Sequence, residues 1–419
     1  MYLICGGLRL NRSFYALLVS QTTTNLGFAL YTMVVVMHLY AQTGSTALSA
    51  AVTLISAISR MVSGVVLPSF ADRFRLPALL IFSQTTQLVI LLCLALMLTQ
   101  DVSALTLVVI MGLLAIISFF NGWFSPVKSS LLRAVVPESE RVRAIGLLST
   151  VDQTFQFAGW TLGGVLLTIL GQGAALGITF ALLVVSIGCM FLLKRHGKKH
   201  EPAGLRSEQG FVAGLTAGWK ILYRHEGLRV LVMMDLIESW VGTIWIGAVT
   251  LTFVKEALHE GEAWWGYING GYYLGTIVGG LIVLRLSRRM QGKLTVSMLL
   301  GASLFGVLTL LYGFVSNSML ALLLVLLMGP AYQIRDLAQE SMVQNSSDEH
   351  TLLKVAAARS TLVQLITMLS IAVIGIVTDV IGVRLVYIAS GCVLLVSAAY
   401  GFVQLQFRKK GALLESEHL

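Results

Sequence analysis

Apolar runs of membrane-crossing length divide this chain from end to end, and that leaves few folds open to it. A helix crosses a bilayer with roughly twenty mostly apolar residues, because backbone groups in hydrocarbon must bond to one another. Runs of that kind occupy residues 14–40, 47–70, 77–99, 104–130, 144–170 and 174–193. A polar stretch rich in Lys, Arg, His, Glu and Gly follows at 194–229. Six further runs occupy 230–254, 263–284, 294–315, 319–338, 355–378 and 383–407. The expected architecture is an all-α membrane protein with twelve transmembrane helices in two pseudo-symmetric six-helix bundles. The first bundle is residues 1–193, the cytoplasmic linker 194–229, and the second bundle with a short tail 230–419.

Loop charge tests this count independently of hydropathy. With a cytoplasmic N-terminus, the inner segments collect Arg9, Arg12, Arg73, Arg75, Arg133, Arg141, Arg143 and the cluster Lys194, Arg195, Lys198 and Lys199. The second half adds Arg285, Arg288, Arg289, Lys293, Lys354, Arg408, Lys409 and Lys410. The outer loops hold Lys255 and Arg384 beside Asp101, Glu256, Glu260, Glu262 and Asp379. This is the positive-inside bias in phase throughout, and a miscounted helix would scramble it. It places both termini in the cytoplasm, and the plasma membrane is the expected location. The net charge of +9 therefore reports topology and contact with anionic lipid, and nucleic acid is excluded as a partner. Only 12% of residues are charged, about half the soluble norm.

Cys5, Cys93, Cys189 and Cys392 are far apart and form no Cys/His cluster, so neither a disulfide nor a metal site is expected. Nothing resembles a phosphate-binding Walker sequence, so ATP is not the energy source. No cofactor is expected. No cleavable leader is expected either, the first helix directing insertion itself.

The two halves repeat. Residues 64–73 and 280–289 each close a small-residue helix with a short basic loop. Ser125-Pro126-Val127 leads through a charged loop to Ser149-Thr150-Val151-Asp152-Gln153, and Gly329-Pro330-Ala331 leads likewise to Ser360-Thr361-Leu362-Val363-Gln364. Transporter folds are often built from such repeats, with the substrate site between them near the midplane.

Three segments carry a family resemblance: Ala71-Asp72-Arg73-Phe74-Arg75, Phe124-Ser125-Pro126-Val127-Lys128 with Val136-Pro137-Glu138, and Gly159-Trp160-Thr161-Leu162-Gly163-Gly164. Over nearly its whole length the chain resembles the major facilitator superfamily, and within it the drug-efflux branch that includes macrolide-efflux-type permeases. The resemblance implies the major facilitator fold. It also implies that Asp72, with Arg73 and Arg75, forms a cytoplasmic gate, Asp72 capping the N-terminus of the eleventh helix. The third segment resembles the antiporter motif. Pro68 stands where the family usually has glycine, Trp160 where it has proline, and Ser118 where it often has an arginine.

Ionisable residues inside the membrane are costly and mark function by default. Asp235 and Glu238, three residues apart in the seventh helix, project from one face. Two adjacent carboxylates in low dielectric resist double ionisation, which suits a carrier that alternates between protons and a cation; pairing with Arg229 in the headgroup zone is the competing reading. Trp240 and Trp245 offer aromatic faces to a lipophilic cation. Arg60 is the sole basic residue near the middle of a span. It pairs with Asp235 or Glu238 across the halves in one transport state, or it bonds neighbouring Ser and Thr side chains. Asp152 reads equally as a gate partner of the 141–143 loop or as a cavity acid. Arg335, Asp336, Glu340 and Arg359 read as a cytoplasmic ion-pair network. Gln21, Asn25 and Tyr31 line the cavity or satisfy one another. Gly159 and Gly163, and Gly271, Gly275 and Gly279, have the spacing of close helix contacts, read here as a sliding seam between the halves.

These features point to a monomeric secondary transporter that exports amphipathic small molecules by alternating access in exchange for protons. A uniporter or symporter of a nutrient, siderophore or lipid-like metabolite is the alternative. An embedded enzyme would need a convergent cluster at one membrane depth, and a sensor a sizeable soluble domain; neither is visible.

Overall fold

The computed structural model describes residues 11–43, 46–71, 74–100, 103–196, 211–245, 248–346 and 349–417. Asp72, Arg73, Asp101 and linker residues 197–210 lie outside them. In chain order the helices are α1 Arg12–Thr43, α2 Thr46–Ala71, α3 Leu76–Met97, α4 Ala104–Asn121, α5 Phe124–Val135, α6 Arg141–His196, α7 Phe211–Arg224, α8 Glu226–Gly242, α9 Ala248–Thr252, α10 Glu262–Gln291, α11 Leu294–Phe314, α12 Ser318–Ser346, α13 Glu349–Ile381 and α14 Val383–Glu417. No strand occurs among the described residues.

Ten of these segments are long and apolar enough to cross a membrane, and a bent pair, Glu226–Trp245 with Val249–Ala257, makes an eleventh. The expected span at 144–170 is the first limb of α6. Its second limb begins after Gly171, whose φ of 77° and ψ of 171° fall where essentially only glycine sits without strain. Outward faces are apolar, as lipid contact requires: Leu105 is 74% exposed and Val380 77%.

The chain separates into two compact units, 1–141 with 155–218 and 349–357, and 142–154 with 219–348 and 358–419. These boundaries differ from the expected 193/230 division. Residues 142–154 join the second unit because their small side chains meet α10 closely: a Cβ at Gly146 would lie 3.4 Å from Val283, and one at Gly280 would collide with the Thr150 side chain. Part of the expected linker is helical. Helix α7 occupies part of it, and α8 starts at Glu226, where the His225 ring nitrogen accepts the Leu228 N–H at 3.2 Å and so caps the helix.

The first unit is built on a core of Tyr31, Val34, Leu39, Val52, Leu91, Leu94, Leu114, Ile117 and Leu183. A polar knot sits beside it. The Gln84 amide donates to Ser186 at 2.7 Å and Thr24 at 3.1 Å, and the Ser186 and Ser20 hydroxyls share a bond of 2.6 Å. It ties α1, α3 and α6 by bonds that have no water to compete with them.

In the second unit α10 packs on α12 through glycine. A Cβ at Gly279 would lie 2.6 Å from Pro330 Cα and 2.8 Å from Gln333 Cβ, and one at Gly271 2.8 Å from Leu322 Cδ1; Gly275 meets the Leu326 carbonyl and Gly329. This corrects the reading of Gly271, Gly275 and Gly279 as a seam between the halves. Their spacing demanded close approach, but the partner is α12 of the same unit, while the α10 face that meets 142–154 is that of Gly280. Helix α6 runs through Gly159 and Gly163; the side chains of 159–168 lie outside the description.

Candidate functional site

The seventh span is not the continuous helix expected over 230–254. Helix α8 ends at Gly242, a 3-10 turn covers Thr243–Trp245, α9 is short, and Phe253–Ala257 is a π-helical turn. The two limbs meet at 50°. Such a break frees backbone carbonyls, which in a membrane must find partners inside the protein. Ser370 on α13 donates to the Trp240 carbonyl and shares a 2.5 Å bond with the Thr243 hydroxyl. Tyr387 on α14 donates to the Ile244 carbonyl at 2.9 Å, as Thr250 does at 3.0 Å. Trp245 is packed among Tyr272, Tyr312 and Tyr387, with ring centroids 6.4, 5.2 and 5.1 Å away, so its faces are covered by tyrosines. Trp240 is 37% exposed.

Two turns before the break, α8 presents Asp235 and Glu238. Asp235 is 5% exposed. Its Oδ1 accepts from Arg335 at 3.0 Å and from the Gln339 amide at 2.7 Å, and its Oδ2 accepts from Arg359 Nε. Glu238 Oε2 lies 2.6 Å from Arg335 Nη2. Arg359 also holds Glu340 at 2.8 Å, and Arg335 lies 3.7 Å from Asp336. The helical period builds the cluster: Arg335 and Gln339 are one turn apart on α12, as are Asp336 and Glu340. Four carboxylates thus surround two guanidiniums from α12 and α13. Gln339 further donates to the Leu231 carbonyl at 2.9 Å. Arg229 is not among the ion partners found for Asp235 or Glu238.

The other sequence candidates fall as follows. Arg60 on α2 lies with its guanidinium carbon 5.0 Å from the Phe28 ring centre. Gln21 and Tyr31 are buried and Asn25 is half-buried on α1; Asp152 is half-buried in the second unit and Arg75 is exposed at the start of α3. Gln333, Gln339, Ser370 and Tyr387 were not singled out in the sequence. Gln333 is fully buried and donates to Ser149. The available signal was a polar stripe, Gln333, Arg335 and Gln339, in an otherwise apolar segment.

Residues 17–334 match the family model described as Major Facilitator Superfamily. The chain belongs to this superfamily. It is 50% identical over 401 residues to the "uncharacterized MFS-type transporter YfmI" of Bacillus subtilis (strain 168), covering 96% of this chain and 98% of that one. A second B. subtilis protein, the "uncharacterized MFS-type transporter YjbB", is 27% identical over 394 residues, 94% of this chain and 96% of its own length. Among solved structures, a bacterial homologue of the iron transporter ferroportin in an outward-facing state superposes with a TM-score of 0.81, covering 94% of this chain and 100% of that chain at 13% identity. That likeness shows the fold alone. The protein is therefore a multi-pass membrane protein and a secondary transporter of small molecules rather than an enzyme.

Proposed function

We propose that this superfamily member exports amphipathic small molecules, of the kind handled by drug- and macrolide-efflux permeases, by alternating access in exchange for protons. The observation that carries this reading is the buried cluster around Asp235, in which four carboxylates share two guanidiniums. The number of protons held there sets the cluster's net charge, and Asp235 and Glu238 sit on the broken span, whose two limbs can reorient separately. Protonating Asp235 or Glu238 weakens its hold on Arg335 and frees α8 from α12. Deprotonation restores the grip. Opening on one side is in this way tied to proton uptake and on the other to release.

In this reading Gln21, Asn25 and Tyr31 supply polar contacts along the substrate path, and Asp72, Arg73 and Arg75 act in the cytoplasmic gate. The protein works as a monomer in the plasma membrane with both termini in the cytoplasm. The test is uptake into proteoliposomes under an imposed pH gradient, using a panel of lipophilic cations, anions and neutral drugs. Gradient-driven movement lost in Asp235→Asn and Glu238→Gln is the expected result. Movement indifferent to the gradient would instead identify a uniporter, and movement of substrate in the same direction as protons a symporter.

A further inference from the structure

Helices α1 to α5 and the second limb of α6 contain no Asp or Glu, so Arg60 has no carboxylate in the described spans of its own unit. Guanidinium stays charged in proteins; Arg60 is half-buried with its Nε fully enclosed, so its charge is partly stripped of water and gains from an anionic partner. Its guanidinium lies over the face of Phe28 at 5.0 Å, a contact weaker than a carboxylate would give. Phe28 is itself held edge-on by Tyr31, centroids 5.2 Å apart at 84°. Arg60 Nε, the Tyr31 hydroxyl and the Ser63 hydroxyl are all buried without a hydrogen-bond partner. Ser63 lies one turn from Arg60 on α2, and both pack against α4 where a Cβ at Gly122 would meet Ser63 Oγ at 2.7 Å and Arg60 Cα at 3.1 Å. Arg60, Tyr31 and Ser63 therefore each carry a buried donor without a hydrogen-bond partner, and the one on Arg60 belongs to a fixed cation over the Phe28 face.

We propose that Arg60, Tyr31 and Ser63 form an anion subsite and that the transported compounds are amphipathic organic anions, with the carboxylate or sulfonate on Arg60 and the apolar body along Phe28. This rests on the export reading and names its substrate class. An oxyanion supplies only acceptors, which matches three donors, and a planar guanidinium binds it through two parallel bonds. A substrate anion would supply Arg60 with the counter-charge that no acid in the described spans of its unit provides.

Binding is measured on protein in phosphatidylcholine nanodiscs, corrected by empty discs, with 2-naphthoate and dodecanesulfonate, the methyl ester of each, and the matched primary ammonium compounds. The wild type is expected to bind the anions about tenfold more tightly than their esters. Arg60→Gln removes that preference, the anions losing far more affinity than the esters, and Arg60→Lys retains part of it. Tyr31→Phe lowers it severalfold and serves as the readout if Arg60→Gln does not fold. Wild-type protein that shows no preference for the anions, or Arg60→Gln protein that keeps it, overturns the proposal. So does displacement of the anions by phosphatidylglycerol, which would make the subsite a lipid-headgroup site. Failure of proton exchange is read separately, as gradient-independent transport by wild-type protein, and leaves the anion preference intact.

Discussion

Replacing Asp235 with Asn keeps the shape of the side chain and removes its charge, which isolates what the carboxylate does. The residue is 5% exposed and receives two arginines and a glutamine amide. Asn can still accept from Arg335 and Gln339 through its one oxygen. Its amide nitrogen, however, then faces Arg359, donor against donor. Removing one partner of a buried ion pair costs about 3–5 kcal/mol, because the other charge stays buried. For a compact unit of roughly 200 residues that is a fall of about 6–20 °C in Tm. Arg359 keeps Glu340 at 2.8 Å, which favours the lower end. Glu238→Gln is milder, about 1–2 kcal/mol, since Arg335 retains Asp235. The assay is thermal unfolding of purified protein in one detergent, with Arg359→Gln and the double variant completing a cycle. The double variant should be less damaged than the sum of the singles by about 1–3 kcal/mol. An Asp235→Asn protein that melts within 2 °C of wild type, or a cycle that is strictly additive, would refute the reasoning.

Gly275→Ala and Gly279→Ala place a Cβ against α12 backbone and should each cost about 1–3 kcal/mol, whereas Gly266→Ala meets nothing within 4 Å and should be neutral or stabilising in the same melting assay. Ser370→Ala uncovers the Trp240 carbonyl at the break in the seventh span, at about 1–2 kcal/mol, and Tyr387→Phe costs less, about 0.5–1.5 kcal/mol, because Thr250 still donates to the Ile244 carbonyl; hydrogen exchange should quicken around the break and little elsewhere. Arg384 donates to the Gly313, Val315 and Ala257 carbonyls and to Ser316 at 2.7–3.3 Å, a cation on helix C-terminal ends. Arg384→Ala should lower Tm by several degrees and Arg384→Lys by less, with the loss insensitive to salt.

Much of the fold was legible because its signals are local. Apolar runs and basic loops are properties of consecutive residues, so the family, the all-helical class and most span positions could be read directly. The break in the seventh span could not. Gly242 flanks it, but nothing nearby announces that Ser370 and Tyr387, more than a hundred residues downstream, will take up its carbonyls. The glycine spacing of α10 specified a face that must be approached closely and said nothing of which helix would approach. Asp235 and Glu238 stood out by their cost in a membrane. Their arginine partners lie 100 and 124 residues away, and the Arg335–Arg359 group looked self-contained because its own acids, Asp336 and Glu340, are neighbours in sequence.

The central claim is that substrate and protons move in opposite directions through one protein. Proteoliposomes with an entrapped pH dye and no imposed gradient test it most directly. Adding a transported compound outside should make the lumen more alkaline as substrate enters and protons leave, and Asp235→Asn and Glu238→Gln should abolish the signal. Substrate entry without a change in lumenal pH, or with acidification, would contradict the account.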